Sequence, residues 1–136
     1  MNRLVARTAA TLGVAGAAIA TTVATAPSAA AATYNNGCGS GYVVVNSASV
    51  GTVGTVFLTY NSSSGKNCVV TVRNSSGSGI EICESITNEN GASQSMCEQN
   101  RTTWGGPVTI SAAGQCVTWS GSIGSATGGK TRTNCG

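Results

Sequence analysis

The stretch Val53–Asn74, VGTVFLTYNSSSGKNCVVTVRN, decides the fold class. Two runs rich in β-branched and aromatic residues flank a polar loop containing Ser64-Gly65, the composition of paired strands joined by a turn. With the loop spanning Asn61 to Asn67, symmetric pairing sets Tyr60 opposite Cys68, Leu58 opposite Val70 and Val56 opposite Val72. These six residues are predicted to share one apolar face. Thr55, Phe57 and Thr59, against Arg73, Thr71 and Val69, form a mixed second face suited to partial exposure or a further packing layer.

Beyond this hairpin, Ile80 to Ile86 reads as a strand with Ile80, Ile82 and Ile86 on one face and Cys83 on the other, and Gln94 to Gln99 can return antiparallel. Folding about Asn90 sets Cys83 directly opposite Cys97. Gly106 to Trp119 predicts a third hairpin, turning at Ala112 to Gln115, in which Val108 faces Trp119 and Ile110 faces Val117. Tyr42 to Val45 begins a first strand, and Lys130 to Asn134 forms a closing one. No segment after the N-terminal region keeps a 3.6-residue apolar period, and turn signals recur at intervals of roughly ten residues. The predicted fold is all-β, a small antiparallel β-sandwich or barrel stapled by disulfides.

The N-terminal segment has a different character. Arg3 and Arg7 precede Thr8 to Ala26, an uncharged run of small and apolar residues, followed by Pro27-Ser28-Ala29. This is the layout of a secretory signal peptide over residues 1–32. Ala30-Ala31-Ala32 offers small residues for cleavage and leaves Thr33 as the mature start, with cleavage after Ala31 nearly as good. Residues 33–136 then form a single β domain. That domain carries five cations, Lys66, Arg73, Arg101, Lys130 and Arg132, against four glutamates, Glu81, Glu84, Glu89 and Glu98, a net of +1. Dispersed charge of this size releases few counterions, so no nucleic-acid partner is expected, and no membrane association once the signal is removed.

Cys38, Cys68, Cys83, Cys97, Cys116 and Cys135 are even in number in a chain that reads as exported, which predicts a disulfide framework. The preferred pairing is Cys38 with Cys135, Cys68 with Cys116, and Cys83 with Cys97. Cys116 falls on the Thr-rich side of its hairpin, so its bond to Cys68 requires a bulge or a one-residue slip. The absence of CxxC spacing and of any His disfavours a zinc site, and neither a metal nor a cofactor is implied.

Catalytic chemistry finds little support. Without His or Asp a Ser-His-Asp triad cannot be assembled. The nearest carboxyl pair is Glu84 with Glu98, diagonal on the predicted hairpin, where both read as solvated residues of an exposed surface rather than an acid and a base. Gly37-Cys38-Gly39-Ser40-Gly41 lacks the spacing and following helix of a phosphate loop. Of the aromatics, Tyr60 and Trp119 lie on predicted core faces. Trp104, between Thr103 and Gly105-Gly106, reads as an exposed aromatic in a turn-like stretch and is the candidate ligand contact.

The run CGSGYVVVNSASVGTVGTVFLTYNSSSGKNCVVTVRN from Cys38, with GGPVTISAAGQCVTWSGSI from Gly105 and the terminal Cys135, resembles the spore-associated protein A family of sporulating filamentous actinomycetes. Glu81 to Arg101 departs from the family pattern and carries Cys83 and Cys97 as an added pair. The resemblance implies secretion and association with the spore or aerial-hypha surface, with spore-surface or cell-wall components as partners, and brings no catalytic residues. The leading expectation is therefore an extracellular, non-enzymatic surface protein. The alternative is a secreted binding module for a carbohydrate, a small metabolite or a foreign hydrolase, using the loops around Trp104.

Overall fold

The computed structural model describes residues 16–18 and 30–136; most of the predicted signal segment, residues 1–32, lies outside the described residues. Eight strands follow one another without an intervening helix among the described residues: β1 (Val43–Val50), β2 (Gly54–Asn61), β3 (Lys66–Arg73), β4 (Ile80–Asn88), β5 (Ser93–Arg101), β6 (Trp104–Ser111), β7 (Val117–Ile123) and β8 (Ala126–Thr133). They form two four-stranded antiparallel sheets in the orders β1-β2-β3-β6 and β5-β4-β7-β8, an all-β sandwich. No helix among the described residues is long and apolar enough to cross a membrane.

The β2–β3 hairpin exists, but its register is one residue away from the symmetric expectation. Asn61 pairs with Lys66, Tyr60 with Asn67, Leu58 with Val69 and Val56 with Thr71. The cause is the turn. Asn61 Oδ1 accepts from the backbone N–H groups of Ser63 and Ser64 at 3.0 and 3.2 Å, and Gly65 closes the loop at φ 69°, a left-handed conformation that glycine adopts without a steric penalty. Because side chains alternate along a strand, a one-residue slip redistributes them. Val56, Leu58, Val69 and Thr71 point into the sandwich, while Phe57, Thr59, Cys68, Val70 and Val72 point out of it. The predicted single apolar face is thus divided between two faces.

Both faces are buried. The inner one joins Val50, Ile82, Ile86, Val108, Ile110, Val117, Trp119 and Ile123 in the main core, where the Trp119 indole N–H donates to Thr133 Oγ1 at 2.8 Å. The outer one is covered by the segment preceding β1, a strap that lays Ala32, Tyr34 and Cys38, together with Trp104, over Phe57, Val70 and Val72. Tyr34 and Phe57 meet with their rings tilted by 58° and 5.8 Å between centroids, and the Ala32 N–H donates to Asn74 Oδ1.

The expected third hairpin is not one. β6 pairs with β3, whereas β7 pairs with β4 and β8, so residues 112–116 carry the chain from one sheet to the other. Val108, Ile110, Val117 and Trp119 do share a core, but from sheets facing each other rather than along one ladder. This overturns two expected disulfides. Cys68 lies on the outer face of its sheet under the strap and bonds Cys38, not Cys116. Cys116 immediately precedes β7 and Cys135 follows β8; the pairing of Val117 with Thr133 brings them together, so Cys135 bonds Cys116 and not Cys38. Cys83 and Cys97 stand directly opposite one another in the β4–β5 ladder and are bonded. On the β1–β8 side the sheets touch so closely that a Cβ at Gly128 would collide with the Ser49 carbonyl, and Lys130 Nζ donates to Asn46 Oδ1 at 2.7 Å.

Candidate functional site

The chemically unusual group is Glu84. Along β4 the side chains of Ile82, Glu84 and Ile86 alternate with Cys83, Ser85 and Thr87, and the first set faces the main core. Glu84 is therefore 2 % exposed, with neither carboxyl oxygen hydrogen-bonded. The reading of Glu84 as a solvated surface residue is corrected: β4 is an interior strand of its sheet, and its inner face is roofed by β3 and β6. Gly105 of β6 makes the room. A Cβ there would stand 2.7 Å from Glu84 Oε1 and equally close to Ile82.

Glu98 lies beside it on β5, paired with Ile82 and facing the same side. Its environment is the opposite of that around Glu84. Oε1 accepts from the Gly106 N–H at 3.0 Å, and Oε2 pairs with Arg101 Nη1 at 3.1 Å. Arg101 in turn donates from Nε to the Trp104 carbonyl at 2.7 Å and rests its guanidinium over the Trp104 ring, 5.5 Å from the centroid. Burial pushes the Glu84 carboxyl up to about 7. The Thr71 hydroxyl beside it and the Arg101 charge restrain that rise, while the Glu98 carboxylate adds to it. Near neutral pH the pair therefore contains one carboxyl held between protonated and ionised forms beside one that is ion-paired.

Two adjacent carboxyls in different environments are what proton transfer requires. Access is what this pair lacks. The cavity of about 320 Å³ that touches β4 at Glu84 also touches Ser85, Ser95, Ser120 and Ser122, on the outer side of the sheet, while the Glu84 carboxyl points the other way against Gly105. A substrate does not reach it in this conformation.

Trp104 is not the exposed aromatic of a turn. It opens β6, is half-buried, and packs with the strap over Phe57, Val70 and Val72. Trp119 is fully in the core, and Tyr60 is half-buried at the rim of a cavity of about 350 Å³ shared with Val45, Asn67 and Asn134. A larger cavity, about 490 Å³, opens at the other end of the sandwich, with Val53, Ile80, Ile123 and Ala126 as its apolar lining against six polar residues, Arg73 and Asn74 among them. Neither cavity was anticipated, since each gathers residues from loops far apart in sequence. Glu84 did leave a signal: it has the same parity as Ile80, Ile82 and Ile86. Glu81 lies beside the sulfurs of Cys83 and Cys97, but these are joined in a disulfide and offer no thiolate to a metal.

No family model and no solved structure matches the chain. It is similar to Spore-associated protein A of Streptomyces coelicolor, with 46 % identity over 134 residues that cover 93 % of this chain and 86 % of that protein.

Proposed function

The chain belongs to the spore-associated protein A family, and on that premise we propose that it is a secreted, non-enzymatic protein of the spore or aerial-hypha surface, partnered by spore-surface or cell-wall components. The observation that carries this reading is the 46 % identity, spread over nearly the whole chain, to a relative named for spore association. Supporting it are the signal layout of residues 1–32 and three disulfides, which suit an oxidising extracellular space. The non-enzymatic part is supported by the lack of His and Asp and by the enclosure of the Glu84 carboxyl. Fractionation of a sporulating culture tests it: the protein is expected in extracts of washed spore surfaces, beginning near Thr33. Recovery only from cytosol, or only from culture fluid, overturns the proposal.

The second reading, a secreted binding module, is favoured by the 490 Å³ cavity, whose four apolar residues, polar majority and single cation suit a small amphiphilic ligand. This moves the ligand site away from Trp104. On a carbohydrate and metabolite array, retention lost in Val53→Trp and kept in Trp104→Ala supports the cavity; the reverse pattern restores Trp104.

A further inference from the structure

We propose that the corner where β5 hands the chain to β6 is a protonation-controlled clamp: the Glu84 carboxyl, enclosed against Gly105 with Glu98 and Arg101 on its solvent side, keeps the corner shut while it holds its proton and loosens it when the proton leaves.

A buried carboxylate needs donors, and both oxygens of Glu84 lack them. The Thr71 hydroxyl, weakly bonded to the Cys83 carbonyl at 3.4 Å, can turn to one Glu84 oxygen, but the other nearby donors are committed: the Gly106 N–H to Glu98, and Arg101 to Glu98 and the Trp104 carbonyl. One hydroxyl serves one oxygen, so a charge on Glu84 is fully satisfied only by admitting water or by drawing Arg101 away from Glu98. Either change opens the same corner.

That corner also holds an irregularity in the sandwich. β5 and β6 are the edge strands of their respective sheets, joined by residues 102–103 alone. The β3–β6 ladder is interrupted between Val69 and Thr71, opposite Pro107, which has no N–H to contribute. The Glu98 and Arg101 side chains are 24 % and 34 % exposed, so this pair is open to solvent. The Cys83–Cys97 bond holds β5 to β4, which confines the opening to the start of β6. Of the titratable and charged groups among the described residues, those facing Glu84 are Glu98 and Arg101 of β5; β3 presents Thr71, β6 presents Gly105, and Gly121 is its partner in β7.

The direction follows from linkage. Closed, the Glu84 carboxyl titrates near 7; open and hydrated, near its ordinary 4.5. Below the lower value both states are protonated and opening is rare. As pH rises between the two, the open state has lost a proton that the closed state still holds, so the open population grows, then levels above about 7. The full gain is about 300-fold, the ratio corresponding to the shift from 4.5 to about 7.

Amide hydrogen exchange on the intact, oxidised protein tests this at the Gly106 N–H, with rates corrected for intrinsic pH dependence. Its protection is expected to fall about fortyfold from pH 5 to pH 7 and then level, to lie below that of Leu58 and Val69, and to be insensitive to low urea, as for local opening. Glu84→Gln should abolish the pH dependence. Glu98→Gln keeps an acceptor for Gly106 but removes the like charge, and should move the transition to lower pH. A pH response retained in Glu84→Gln, a Gly106 exchange that tracks Leu58 in urea, or a transition unmoved in Glu98→Gln overturns the proposal.

Discussion

At the residue scale, Glu84 has a global consequence beyond the corner it sits in. Its raised pKa means that the folded chain binds a proton which the unfolded chain releases between pH 4.5 and about 7. Stability conferred by the neutral carboxyl is thus fully present below 4.5, declines as pH rises through that window, and declines no further above it. Replacing the group by an amide of the same shape removes the penalty. Glu84→Gln is expected to raise unfolding free energy at pH 8 by up to about 3 kcal/mol, and to change it little at pH 4, as read by urea denaturation at both values. Equal effects at the two pH values would mean that Glu84 is solvated. Gly105→Ala tests the same spot by volume: the added methyl meets Glu84 Oε1 and Ile82 and is expected to cost about 1 to 3 kcal/mol in the same assay. Parity with three isoleucines was the signal in the sequence that Glu84 faces inward, and the reading of it as solvated passed over that signal. Its lack of partners was not legible there, because that depends on what β3 and β6 place above it.

At the element scale, the strap is the part that local reasoning could not supply. Residues 30–42 have few apolar side chains and many turn residues, yet they complete a second core by covering Phe57, Val70 and Val72. Their need for a partner is visible only once the β2–β3 register is known, since the slip of one residue is what turns those three outward. The Cys38–Cys68 bond holds this cover in place across a separation of 30 residues. Replacing both cysteines with serine is expected to cost about 3 to 4 kcal/mol by the chain-entropy model and to raise binding of a hydrophobic dye as the outer face is uncovered. Unchanged dye binding and stability would show that the strap needs no tie. Connectivity has its own assay. Cleavage of the oxidised protein after Lys and Arg should leave Asn67–Arg73 joined to the peptide containing Cys38, and Thr133–Gly136 joined to Thr102–Lys130. A link between the Cys38 peptide and Thr133–Gly136 would contradict the fold described above.

At the scale of the whole molecule, stability is distributed over two cores and three short covalent loops, with separations of 30, 14 and 19 residues, instead of one bond spanning the domain. Each loop contributes about 3 to 4 kcal/mol in the chain-entropy model, together comparable to the roughly 5 to 15 kcal/mol of a typical domain. Complete reduction is therefore expected to bring the urea midpoint close to zero, while a protein that keeps its midpoint after reduction would be held by its cores alone. The all-β class, the places of most strands and the Cys83–Cys97 bond can be read from the chain alone, because strand periodicity and hairpin pairing are local properties of neighbouring residues. The packed sheets settle which face of β2 and β3 is outer, that β6 and β7 belong to different sheets, which of the other four cysteines meet, and that the Glu84 carboxyl is sealed in the core. Those outcomes depend on contacts between segments distant in the chain, where one residue of register or one crossing between sheets redirects every side chain that follows.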